Sequence, residues 1–98
     1  MKMKRIEAHS LVYNIEEFIR AEFSVSPTDP GFNREIDLFE GGYVDSMGVV
    51  ELLEFLRNEF NVEIPDDDLL SDEFLSIMGM ARIVYRNLES QNQRYLGE

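Results

Sequence analysis

Apolar residues recur along this chain at helical spacing in three stretches, and no alternating strand pattern competes with them. In the first, Leu11, Ile15, Phe18 and Glu22 keep the period and Ile19 widens the apolar stripe. The spacing predicts a helix from about Arg5 to Phe23. A second helix is expected from about Ser46 to Asn61, with Val49, Val50, Leu53, Leu56 and Phe60 as its buried stripe. Met47, Glu51, Glu54 and Asn58 lie three or four residues apart, so they share the outward face of that helix. The third helix runs from roughly Ser76 to Ser90, with Ile77, Met80, Ala81, Val84 and Leu88 inward. Gly79 weakens it near its start.

The connections carry their own signals. Ser24 to Val44 holds Pro27, Pro30, Gly31, Gly41 and Gly42, which argue against regular structure. A loop this long in a small domain is functional or packed on the core. Ile36, Leu38 and Phe39 supply the side chains for packing. Ile64-Pro65 reads as extended, because the residue before a proline is biased away from helix. Asp66-Asp67-Asp68 and Ser71-Asp72 then provide cap-type residues ahead of a short turn containing Phe74 and Leu75. The expected fold is all-α, a small four-helix bundle of three longer helices and one short one, with a long first loop. The 98 residues suit a single domain. Its core is expected over about residues 5–90, with 91–98 as a polar tail that frays.

At 44% hydrophobic and 30% charged, the chain is too apolar for a disordered one. A domain of this size has a single small core and no room for a deep, walled active site. The charge is more telling. The formal net charge is −11, and from Glu35 to Glu73 there are thirteen acids and a single base, Arg57. Such a field repels nucleic acid and anionic membrane, and it steers basic protein surfaces inward. With no cysteine there is no disulfide, thiolate nucleophile or cysteine-based zinc site. The basic start has no apolar run behind it and no stretch is long enough to span a membrane. The expectation is a cytoplasmic monomer that binds no nucleic acid and inserts in no membrane.

The candidate chemistry lies in Gly41-Gly42-Tyr43-Val44-Asp45-Ser46-Met47, where a glycine-rich turn delivers one serine to the start of a helix. Two readings of Ser46 compete. It is a common N-cap residue. It is also well placed as an attachment point, since a helix N-terminus favours an anion such as a phosphodiester. Tyr43 and Val44 either pack on the core or lie beneath an attached group. A calcium loop starting at Asp29, with Asn33, Asp37 and Glu40 as further ligands, fails because Arg34 stands where glycine is needed. His9 is the only histidine, and nothing in the sequence brings it near Ser46 to build a catalytic triad.

Asp45-Ser46-Met47, followed by Val50-Glu51-Leu52 and by Glu59-Phe60-Asn61-Val62-Glu63-Ile64-Pro65-Asp66, resembles the acyl and peptidyl carrier protein family. The likeness covers Asp37 to about Leu88. It implies a non-catalytic carrier whose Ser46 bears 4′-phosphopantetheine, added from coenzyme A by a separate phosphopantetheinyl transferase. The terminal thiol of that arm holds acyl or aminoacyl cargo as a thioester. Asp45 matches the acid that helps present the serine, Met47 an apolar contact, and Glu51 a partner-binding acid. Glu54 shares their face, and an apolar residue ringed by acids suits a basic enzyme surface. The implied partners are the transferase, an adenylating acyl or aminoacyl ligase, and downstream acyl-transfer or condensing enzymes.

Gly48 departs from the pattern, standing where carriers of fatty acid synthesis usually have an acid. Arg57 and Asn58 also replace acids. The stretch Asp45-Ser46-Met47-Gly48-Val49-Val50 looks more like D-alanyl carriers and free-standing aminoacyl carriers. A specialised aminoacyl, D-alanyl, peptide or polyketide pathway is therefore expected, with fatty acid or specialised lipid synthesis as the alternative. A reading of another class remains: an acidic helical interaction module without a prosthetic group, in which Ser46 is only a cap.

Overall fold

The structure is a computed structural model that describes the backbone over residues 8–96 and side chains over residues 9–91. Helix α1 spans Ala8–Glu22, α2 Ser46–Phe60, α3 Asp66–Leu69 and α4 Ile77–Leu96, with a 3-10 turn at Asp72–Leu75 between the last two. The expected all-α bundle is present, and the short fourth element is split into α3 and the 3-10 turn. The expected start of α1 at Arg5 lies outside the described residues. The backbone of α4 is helical through Leu96; of the expected polar tail, the side chains of residues 92–98 and the backbone of residues 97 and 98 lie outside the described residues. Among the described residues no helix is long and apolar enough to cross a membrane.

Leu11, Ile15 and Ile19 of α1 meet Leu52 and Leu56 of α2 and Ile77, Met80, Ile83 and Val84 of α4 in one apolar core. Among the described residues, no polar or charged residue is buried in it. The α1–α2 seam is aromatic. Phe18 stacks on Phe55 with centroids 4.0 Å apart, and Phe23 and Phe60 meet this pair edge-on.

Here the expected stripe of α2 needs correction. Val50 is 62% exposed and Leu52 is fully buried; Val49 and Leu53 are only half-buried. Six apolar residues crowd positions 49–56, so more than one stripe satisfies the helical period. Gly48 settles the rotation. It is buried against the Phe23 ring, and a Cβ there would stand 2.6 Å from Phe23 Cε1. Likewise Glu22, in register with the stripe of α1, is exposed.

Side-chain carboxamides and carboxylates order the long first loop. Asn33 Oδ1 accepts from the Glu35 and Ile36 N–H groups, and Asp37 Oδ1 from those of Phe39 and Glu40. The loop is sealed by Phe32, Leu38 and Val44, with Ile36 and Phe39 half-buried beside them. The Leu38 N–H donates to the Leu75 carbonyl at 2.8 Å and the Met78 N–H to that of Arg34 at 2.9 Å, tying the loop to the far side of the bundle. Arg34 and Arg20 both bond the Glu16 carboxylate. Partial burial pushes that carboxyl up, but the two guanidinium groups outweigh it and hold it below its ordinary value.

Candidate functional site

Helix α2 begins where the chain leaves the buried Val44. Asp45 is its N-cap, in extended conformation, and its Oδ1 accepts from the Gly48 N–H at 2.9 Å. Ser46 is therefore the first residue inside the helix and not its cap. The capping reading of Ser46 is corrected on this point: its neighbour holds that position. Ser46 is exposed.

The other hydroxyls between Ile15 and Val84 are differently placed. Those of Ser26 and Thr28 bond each other, Ser71 Oγ donates to the Asp68 carbonyl, and Ser76 Oγ accepts from the Gly79 N–H. Ser24 sits just past the end of α1 with φ 55, where no helix begins. Among the described residues of this span, Ser46 alone joins exposure, a side chain without a hydrogen-bond partner and a helix N-terminus. Two N–H groups of the first turn, those of Ser46 and Met47, lie ahead of the capped Gly48 and lack helical partners. Such a start suits an ester carrying negative charge.

Around Ser46 the surface is apolar and acidic together. Met47 is 79% exposed, and Val50, expected inside, stands out one turn further along. Sequence reasoning missed Val50 because its stripe assignment buried it. Glu51 and Glu54 are exposed on the same helix, as expected. Glu51 approaches Glu22 at the end of α1. Hydrogen bonding to Glu22, the repulsion between the two carboxylates, and the charges of Asp45 and Glu54 all push the Glu51 carboxyl above its ordinary value.

Tyr43 and Val44, left open by the sequence, separate here. Val44 is core, and the Tyr43 hydroxyl donates to Asp29 Oδ2 at 2.9 Å while its ring meets Phe32 edge-on. That bond raises the Tyr43 hydroxyl above the usual phenol value. His9 is exposed on α1. Among the described residues, no group of three histidine or carboxylate side chains could hold a metal ion.

Residues 15–84 match the family described as "Phosphopantetheine attachment site". The chain belongs to that family. Its cofactor is a covalently attached 4′-phosphopantetheine, and the all-helical bundle is the family's fold. Similarity to individual proteins is shorter. The D-alanyl carrier protein of Bacillus velezensis is 40% identical over 42 residues, which are 43% of this chain and 54% of that protein. D-alanyl carrier protein 1 of Lactiplantibacillus plantarum is 37% identical over 46 residues, 47% of this chain and 58% of that protein. The D-alanyl carrier protein of Leuconostoc citreum is 34% identical over 59 residues, 60% of this chain and 76% of that protein. The chain thus spans little more than half the length of the first two relatives. No solved structure is significantly similar to it.

Proposed function

We propose that Ser46 is the attachment point of the phosphopantetheine arm, and that the chain is a single, monomeric carrier unit acting in the cytoplasm as a tethered substrate for other enzymes. The observation that carries this reading is the exposed, unbonded Ser46 hydroxyl at the start of α2, inside the matched span. When bound, the arm supplies the thiol that this cysteine-free chain lacks, and holds acyl or aminoacyl cargo as a thioester. Asp45 keeps the first turn of α2 formed and its acid beside the serine. The first-turn N–H groups favour the phosphodiester charge. Met47 gives an enzyme an apolar foothold, and Glu51 and Glu54 attract its basic rim.

The cargo class follows the relatives' names only in outline. Resemblance to D-alanyl carrier proteins supports an aminoacyl or related specialised acyl group, delivered by an adenylating ligase. The buried Gly48 agrees with a departure from fatty-acid carriers, since an acid at that position would collide with Phe23.

Intact mass after incubation with coenzyme A and a broad-specificity phosphopantetheinyl transferase tests the site. One added phosphopantetheine on the wild type and none on Ser46→Ala is the expected result. Equal modification of both proteins would move the attachment elsewhere. A folded protein that stays unmodified would favour the acidic interaction module.

A further inference from the structure

We infer that a polar pocket between the C-terminal end of α2 and the last turns of α4 receives the distal end of the arm, and that it fits a cargo ending in a free carboxylate. This inference rests on the reading of Ser46 as the attachment point. The pocket has a volume of about 590 Å³, and Arg57, Asn58, Asn61, Glu63, Asn87 and Gln91 line it. That volume is in the range of small-ligand sites.

Position is the first argument. At about 100° per residue, the eleven residues from Ser46 to Arg57 make about three turns, which returns Arg57 to within roughly 20° of the Ser46 face. At about 1.5 Å per residue the two lie roughly 16 Å apart along the axis. About fourteen bonds separate the serine oxygen from the sulfur of a phosphopantetheine arm, roughly 18 Å when extended at ordinary bond lengths. The arm is long enough to bring its sulfur to the Arg57 turn. Between the two ends, Val50 is exposed and Leu53 half-buried on this side of α2, an apolar track for the methyl and methylene groups of an arm.

Charge is the second argument. Arg20, Arg34, Arg82 and Arg86 are all engaged in ion pairs. Arg57 is exposed and is the one arginine among the described side chains that forms none. It is also the only base between Glu35 and Glu73. A guanidinium left open in so acidic a chain calls for an anion, and its planar fork matches a carboxylate.

The pocket wall is fixed around it. Gln91 accepts from the Glu63 N–H at 2.9 Å and donates to the Asn61 carbonyl, and Asn87 donates to Asp68 and to the Ile83 carbonyl. The Asn58 and Asn61 side chains add amide donors beside Arg57. Among the described residues, Glu63 is the one opposing charge in the lining and Arg57 the one cation, so Arg57 sets the preference for an anion. A D-alanyl thioester has no free carboxylate. The pocket points instead to a dicarboxylic acyl group or an acidic amino acid.

The test loads the whole chain with two cargoes of equal length, succinyl and butyryl, from their coenzyme A thioesters by a broad-specificity transferase. Intact mass establishes loading before amide and Arg Nε NMR shifts are compared. Succinyl is expected to shift Arg57, Asn58, Asn61, Asn87 and Gln91, and butyryl to leave them in place. Arg57→Ala and Arg57→Gln, each with the rest of its spectrum unchanged, are expected to lose the succinyl shifts. Identical shifts with both cargoes, no shifts with either, or succinyl shifts that persist in both variants would overturn the pocket assignment and leave attachment at Ser46 standing. Failure to load, seen in the mass spectrum, would overturn both.

Discussion

Two acidic regions of this bundle are built on opposite terms. Around α3 and the 3-10 turn, Asp68 and Glu73 are answered by Arg86, Arg82 and Asn87. The hydrogen bond from Arg86 leads in holding the Glu73 carboxyl below its ordinary value. On α2, Glu51 and Glu54 form no ion pair among the described residues, and Glu51 meets Glu22, another acid. Sequence gives both regions the same look, a run of carboxylates. The difference shows that acidity here has two roles: one region is neutralised to hold α3 against α4, and the other keeps its charge facing outward.

The largest effect should come from the neutralised side. A Cβ at Gly79 would fall on the Glu73 carbonyl oxygen and within 3 Å of other Glu73 backbone atoms. Gly79→Ala should therefore cost about 3 kcal/mol in chemical denaturation, because backbone and not a movable side chain blocks the space. A loss near zero would show that the turn is not seated on α4 in this way. Next, Glu51→Lys with Glu54→Lys should slow the transferase reaction at low salt by about tenfold or more, with no loss of thermal stability. Glu73→Gln should do the reverse, lowering stability and leaving that rate alone. If both variants changed the same quantity, the contrast between the two regions would collapse.

A smaller effect separates Asp45 from Ser46. Asp45→Ala removes the α2 cap and should cost about 1 kcal/mol of stability. Ser46→Ala, one residue on, should stay within about 0.5 kcal/mol of wild type. The smallest effect concerns pH. Because the folded state raises the Glu51 carboxyl, the stability linked to its proton is fully present below the ordinary glutamate value and lost as pH rises through the raised one. Glu51→Gln should match wild type in acid and gain on it at neutral pH. Denaturation curves at about pH 4 and about pH 7.5 decide this.

The helices were legible because their apolar periods are strong, and α2 was placed to within a residue at its C-terminal end, where Asn61 takes a left-handed conformation. What the period cannot give is rotation. Val49, Val50, Leu52, Leu53, Phe55 and Leu56 satisfy several stripes at once, and packing against the rest of the bundle selects one, including the contact of Gly48 with Phe23 just past the end of α1. The candidate site was legible for a similar reason and with a similar gap. The turn-then-helix pattern singled out Ser46 and its acidic face. It offered Ser46 as the cap, and the hydrogen bond to the Gly48 N–H gives that position to Asp45 instead, because both are good cap residues and only geometry decides between them. The Arg57 pocket stayed hidden, since its walls come from residues about thirty positions apart.

The capping of α2 by Asp45 has one more consequence. On the proposed attachment, esterifying the Ser46 oxygen removes no hydrogen bond made among the described residues. An empty, a bare-armed and a loaded form would thus share one scaffold of nearly equal free energy. Enzymes visiting in succession would tell these forms apart by what hangs from the serine, and the protein would complete each round without refolding.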